Sequence, residues 1–439
     1  MWLIATLIGR LPKLPTKMVT VVTICFHLIM KSRSAEQEHG RTSIGFDQRR
    51  FMAAICLYFQ VHQPFRLRRY GVFESDTDYF DNLRNASVME LVARRSYMPT
   101  NRLMLDLFKR YGKDFRISLS ITVTALEQLE RWAPQVLESF QAMADTGCVE
   151  FLGETSHSSL AFLYSPEEFR QQIKLHRQAI KRLFGQTPKV FRNTNLIFSN
   201  AIGSVVRQLN FEAAIMEGWE GVLGSRNLGF PYRLQQSDLK LLLRHYRLSE
   251  DIALRFGIKN WSQWPLTAEK YTHWLNGMNG QGAYCLLGMD YETFGERQPE
   301  ETGIFKFLAA LPGNVLALGD VFRTPSQCVQ EIATLNEISV PQFVSWTDDN
   351  RDIGPWLGNA MQANAMQELY RLEEAVKTRQ DQELLSDWRR LTSGDHFFYM
   401  NTRHFGEPGG NMFNPYESPY DGYINFMSVL DSITARIRN

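Results

Sequence analysis

The stretch AYCLLGMDYETFGE, residues 283–296, decides how this chain is read. Residues 283–287 are an apolar run of strand character that stops at Gly288, and Asp290, Glu292 and Glu296 then crowd around Gly295. A buried strand that delivers carboxylates to its C-terminal end is where α/β enzymes place acid–base groups. Asp290 and Glu292 are two apart, so in extended backbone their side chains point the same way. The alternative is a surface loop whose acids are only solvated.

The same pattern recurs upstream. Residues 53–61 form a strand that feeds His62-Gln63-Pro64, and Pro64 turns the chain so that His62 and Gln63 sit at the strand's C-terminal lip. Residues 115–122 form the next strand, followed by a helix over 125–144 that Gly147 ends. Residues 149–152 lead into Gly153-Glu154-Thr155-Ser156-His157, again a glycine, a carboxylate and a histidine after an apolar run. Ser165 with Glu168 reads as a capping box, Pro166 takes the first helical position, and Phe169, Ile173, Ile180 and Phe184 share one face. A strand over 189–192 then enters Asn193-Thr194-Asn195, with a helix at 201–209 and a strand at 213–216 behind it. This βαβα alternation predicts a parallel sheet, open or closed into a barrel, with the site at the strand C-termini.

From residue 357 the pattern becomes helical: one or two long amphipathic helices over 357–388, a Gly/Pro/Asn-rich loop at 407–420 and a last helix at 423–437. The polar segment 345–352, SWTDDNRD, stands before it, flanked by Trp346 and Trp356. It is either a salt-bridged loop or a wall of a cleft with tryptophans as sugar platforms. The expected organisation is an extension over 1–51, a barrel over 52–335 and a helical region over 336–439. In the extension, the apolar residues 19–30 follow Arg10, Lys13 and Lys17 and permit a signal-peptide reading. The favoured reading is a weakly ordered segment upstream of Met52, and hence a cytoplasmic protein.

Composition narrows the function classes. With 48 basic against 47 acidic side chains, nothing favours nucleic acid or an anionic membrane surface. The five cysteines are scattered without a CxxC, which reads as buried free thiols in a reducing compartment.

Four segments in order, LYFQVHQPFRL, EFLGETSHSSL, MDYETFGE and SWTDDNRDIGPWLGN, joined by the closing SPYDGYINFMSVL, resemble glycoside hydrolase family 57 and its α-amylase-like members. The resemblance runs from Met52 to the C-terminus. It implies an incomplete (β/α)7 barrel followed by a C-terminal helical domain, α-glucan or a related oligosaccharide as ligand, and no metal or organic cofactor. By the same resemblance Asp290 is the general acid/base, His62 and His157 line the sugar site with Gln63, Arg192 and Glu292, Glu154 is the second motif's carboxylate, and Trp346, Asp349 and Trp356 belong to the fifth motif. The third motif departs: VFRNTNLIFSN carries Asn195 where the α-amylase members carry a nucleophilic glutamate.

Retaining glycosidases need two carboxyl groups about 5–5.5 Å apart. An amide forms no glycosyl ester, yet still hydrogen-bonds sugar hydroxyls. Three readings follow: a glucan-binding protein whose hydrolysis is lost or weakened; an active glycosidase or glucanotransferase that uses Glu154, Glu292, Asp349 or the substrate's own acetamido group; and a metal-dependent barrel deacetylase or mannosidase built on His62 and His157.

Overall fold

A computed structural model describes residues 53–71, 73–403, 405 and 413–438, so the extension over 1–51, with its signal-peptide reading and Cys25, lies outside the described residues. Residues 50–439 form one compact unit.

Among the described residues the ten strands are β1 (Ala54–Val61), β2 (Ile117–Ile121), β3 (Val149–Phe151), β4 (Val190–Arg192), β5 (Ala213–Glu217), β6 (Tyr232–Leu234), β7 (Lys240–Arg244), β8 (Tyr284–Asp290), β9 (Val321–Phe322) and β10 (Glu337–Ile338). Seven of them, β1-β2-β3-β4-β5-β7-β8, run parallel around a ring. Two of its seams are narrow. β3 meets β4 through the Gly153–Phe191 bridge, and β7 meets β8 at Arg244 and Leu286. β6 pairs antiparallel with β7 and carries β10, while β9 pairs with the start of β1. The expected (β/α)7 barrel is what the chain forms.

Period-2 alternation sorts the strand residues. Ala54, Cys56 and Tyr58 of β1, Ile215 of β5, Leu242 of β7, and Tyr284 and Leu286 of β8 fill the barrel interior. Ile55, Leu57 and Phe59 face outward into the cluster formed with the surrounding helices. Gly288 does not end β8, as its sequence context suggests. It lies inside the strand opposite Tyr58, where an added Cβ would come within 1.9 Å of that ring. The glycine makes room for the tyrosine to cross the barrel.

Two helix boundaries differ from the sequence expectation for local reasons. The helix over 125–144 is two helices, Val123–Trp132 and Pro134–Asp145, because Pro134 lacks the N–H that would continue the first and starts the second instead. The long helix after 357 is three: Ala360–Arg371, Glu373–Thr378 and Gln382–Leu391. Gln380 takes a left-handed conformation, and Asp381 caps the last of them by accepting from the amides of Glu383 and Leu384. The final helix, Pro419–Arg438, starts earlier than expected.

The capping box is half formed. Ser165 Oγ accepts from the Glu168 amide, but the Glu168 carboxylate turns away to Arg389 and Lys377, each at 2.8 Å. The helical region and the barrel share a core: Phe169, Ile173 and Phe191 pack in one cluster with Leu369, Trp388 and Phe426. Cys56, Cys148, Cys285 and Cys328 are buried free thiols. Among the described residues no helix is long and apolar enough to cross a membrane.

Candidate active site

The inward positions at the C-terminal ends of the strands change from apolar to charged. Gln60 and Asp290 are register partners on β1 and β8, Arg192 ends β4, Glu217 ends β5 and Arg244 ends β7. Glu154 follows β3, and its Oε1 accepts from Ser120 Oγ at 2.6 Å while Oε2 pairs with Arg192 at 3.4 Å. Glu217 pairs with Arg244 at 2.7 Å and with Arg351 at 3.2 Å, and Arg351 also reaches Glu250 at 2.7 Å. Burial pushes the Glu217 carboxyl upward, and the two arginines oppose it.

Asp290 and Glu292 do not point the same way. The chain leaves β8 into a 3₁₀ turn, Tyr291–Thr293, and the turn separates them. Asp290 keeps a side-chain exposure of 27% and pairs with Arg297 at 2.7 Å. Glu292 turns inward, where Tyr97 Oη and Gln63 Nε2 both donate to its Oε1. Burial first, then the charge of Asp290, raises the Glu292 carboxyl to about 7. Gln63 is thereby tied to a carboxylate, and its Oε1 also accepts from Arg66 at 3.0 Å. Glu296 leaves the site: its buried side chain pairs with Arg95 at 3.5 Å.

His62 stands at the lip of β1 with both ring nitrogens engaged, Nδ1 with Thr122 Oγ1 at 2.8 Å and Nε2 with Asp395 Oδ2 at 2.9 Å. Ser393 Oγ also donates to Asp395 Oδ2, at 2.9 Å. Burial tends to raise the Asp395 carboxyl, but His62 and Ser393 outweigh it and hold the group well below the carboxylate range. His157 pairs through Nδ1 with Ser156 Oγ at 2.7 Å. Burial pulls its pKa down to about 3, with Arg389, Arg390 and His62 adding to the effect, so the ring is neutral.

Asn195 occupies the left-handed region at φ 49°, which asparagine tolerates better than most residues. Its carbonyl accepts from the Trp346 amide at 3.1 Å, and its Oδ1 accepts from Trp346 Nε1 at 3.2 Å. The Trp346 ring lies over Arg192 and Arg244, with guanidinium carbons 5.3 and 5.2 Å from its centroid.

The fifth-motif residues therefore separate. Trp346 faces the barrel mouth, and Asp349 is exposed on its loop. Trp356 is buried in the helical core against Phe398, so its indole offers no platform; packing of the helix Gly354–Leu357 onto Gly394–Phe398 takes it inward. His62 and His157 join no cluster of three metal-ligating side chains among the described residues.

Sequence reasoning missed Glu217, Arg244, Arg351, Tyr58 and Asp395. Glu217 carried a signal, since it ends the apolar run AAIME as Asp290 ends its own. Asp395 had none, lying 333 residues from His62.

A parallel barrel with its ionisable groups gathered at the strand C-termini has the architecture of an α/β-barrel enzyme, in which the site lies at that end. The chain belongs to glycosyl hydrolase family 57, whose model matches residues 56–341. It is 36% identical over 392 residues, 86% of this chain and 83% of the relative, to a Methanocaldococcus jannaschii protein described as "Putative alpha-amylase". Its fold is similar to that of the branching enzyme of Pyrococcus horikoshii, with a TM-score of 0.65 at 13% identity, covering 86% of this chain and 88% of that one. It is also similar to the 4-alpha-glucanotransferase of Thermococcus litoralis, with a TM-score of 0.61 at 13% identity, covering 79% of this chain and 56% of that one.

Proposed function

We propose that this protein is an α-amylase-like member of family 57 that binds α-glucan or a related oligosaccharide at the barrel mouth, with retaining hydrolysis lost or weakened. The observation that carries this reading is Asn195, an amide at the third motif's nucleophile position, hydrogen-bonded to Trp346. A relative described as "Putative alpha-amylase" and a structural neighbour described as a 4-alpha-glucanotransferase support the ligand class.

The neighbouring carboxylates do not stand in readily. Glu154 and Glu217 have fully buried side chains held by arginines, whereas Asp290, paired with Arg297, is partly exposed. Loss of a nucleophilic carboxylate removes several powers of ten in rate, roughly 4–8 kcal/mol in barrier. Trp346 then serves as the platform on which a sugar ring stacks, and Asp290 as the acid/base that a restored nucleophile would need.

The test is α-glucan hydrolysis by the wild type, Asn195→Glu and the double variant Asn195→Glu/Asp290→Ala, with maltooligosaccharide binding measured for each. The expected result is an inert wild type that binds, a gain of turnover in Asn195→Glu, and its loss in the double variant. A wild type that turns over and is slowed by Asn195→Glu overturns the proposal and favours a working enzyme with another carboxylate.

A further inference from the structure

Four arginines gather around the barrel mouth, and one of them is under-used. Arg244 donates to the Gly288 carbonyl and to Glu217, each at 2.7 Å. Arg351 spreads over Trp346 O, Glu217 and Glu250, and Arg297 meets Asp290. Arg192 is fully buried, yet its one ion pair is the 3.4 Å contact from Nη1 to Glu154. Its Nε and Nη2 have no hydrogen-bond acceptor. The Trp346 face beside Arg192 shields it from water but offers no lone pair. The hydroxyl of Tyr58, also fully buried, has no partner either. The Tyr58 ring packs against Gly288, whose carbonyl Arg244 holds at 2.7 Å.

Buried donors without acceptors are costly, and such a group in a native fold calls for a partner: an ion, a ligand or an ordered water. A guanidinium with two free N–H groups in a fixed fork suits the oxygens of a tetrahedral oxyanion. Tyr58 adds an O–H donor. The neutral Asn195, joined to the same Trp346, removes the negative charge that a glutamate would hold there against an anion, and its amide nitrogen adds further donors.

We infer that Arg192, Tyr58 and Asn195 form an oxyanion subsite at the barrel mouth, which takes a phosphate-class group that is either carried by the sugar or supplied as free phosphate. The inference rests on the reading of Asn195 as the altered nucleophile position of a sugar cleft.

Calorimetric titration of the full chain with inorganic phosphate, glucose 1-phosphate and maltotriose, at ionic strength held constant with chloride, tests it. Wild type is expected to bind the phosphate probes, Tyr58→Phe to bind them about tenfold more weakly, and Asn195→Glu to lose them. Glucose 1-phosphate binding tighter than phosphate assigns the group to the sugar, and equal affinities assign it to the free ion. The subsite is overturned if neither phosphate probe binds wild type, or if both variants bind them as wild type does. Maltotriose titrated in phosphate-free buffer reports on the sugar cleft separately: its failure counts against the proposed function, while the phosphate arms still decide the subsite.

Discussion

Trp346 and Asn195 hold each other by two hydrogen bonds, amide to carbonyl at 3.1 Å and indole Nε1 to side-chain Oδ1 at 3.2 Å. Asn195 therefore fixes the aromatic ring at the barrel mouth. Asn195→Ala removes one of the two bonds and frees the indole. Maltooligosaccharide affinity should fall several-fold, on the order of 1 kcal/mol, while Asn195→Gln restores less than full binding because its longer side chain misplaces the acceptor. Titration monitored by tryptophan fluorescence measures both.

The two fifth-motif tryptophans should fail in opposite ways. Trp356 is 2% exposed, so Trp356→Ala opens a cavity and should cost about 3–5 kcal/mol of stability in denaturant unfolding. Trp346→Ala, at a half-buried position, should cost less stability than Trp356→Ala and abolish measurable glucan binding. A Trp356→Ala protein of normal stability would contradict the burial argument.

Glu292 makes stability depend on pH near neutrality. Its carboxyl rises from 4.5 to about 7 on folding, through burial and the neighbouring Asp290. A raised carboxyl binds its proton more tightly in the folded state. Its contribution is therefore complete below pH 4.5 and is lost as pH rises through 7, to a total of about 3 kcal/mol. Urea unfolding between pH 5 and pH 8 should show this slope, and Glu292→Gln, which keeps the acceptor for Tyr97 and Gln63, should flatten it.

The His62–Asp395 pair works in the other direction. Asp395 is held well below its ordinary 3.8, so its contribution is present above that pH and is lost as pH falls through the lowered value. Both side chains are largely buried, at 12% and 19% exposure, and Asp395→Asn, which weakens a hydrogen bond to a charged group, should cost about 1.5–3 kcal/mol at neutral pH. The effect should shrink in acid, and the ¹⁵N shifts of the His62 ring should report the changed partner.

Much of the barrel is legible because its signals are local. An apolar run punctuated by glycine or proline places His62, Glu154, Asn195 and Asp290 at strand ends without knowledge of the rest of the chain. The reading of Gly288 as a strand end was wrong because the reason for the glycine, the ring of Tyr58, lies on another strand. The alignment of Asp290 with Glu292 failed because it assumed extended backbone where the chain enters a 3₁₀ turn. Glu217 obeys the same rule as Asp290, closing the apolar run of β5 one residue past Met216.

By itself the sequence determined the parallel βα order, the lip positions of His62, Glu154, Asn195 and Asp290, and the amide at residue 195, since burial periodicity, turn residues and side-chain chemistry are properties of neighbours along the chain. Only the tertiary structure decided that Asp395 meets His62, that Arg351 locks Glu217, that Trp346 faces the mouth while Trp356 goes to the core, and that Arg192 retains unused donors. Those outcomes depend on which distant side chains arrive within hydrogen-bonding distance. Closure of the barrel and docking of the helical region against it set those distances, and no local pattern encodes them.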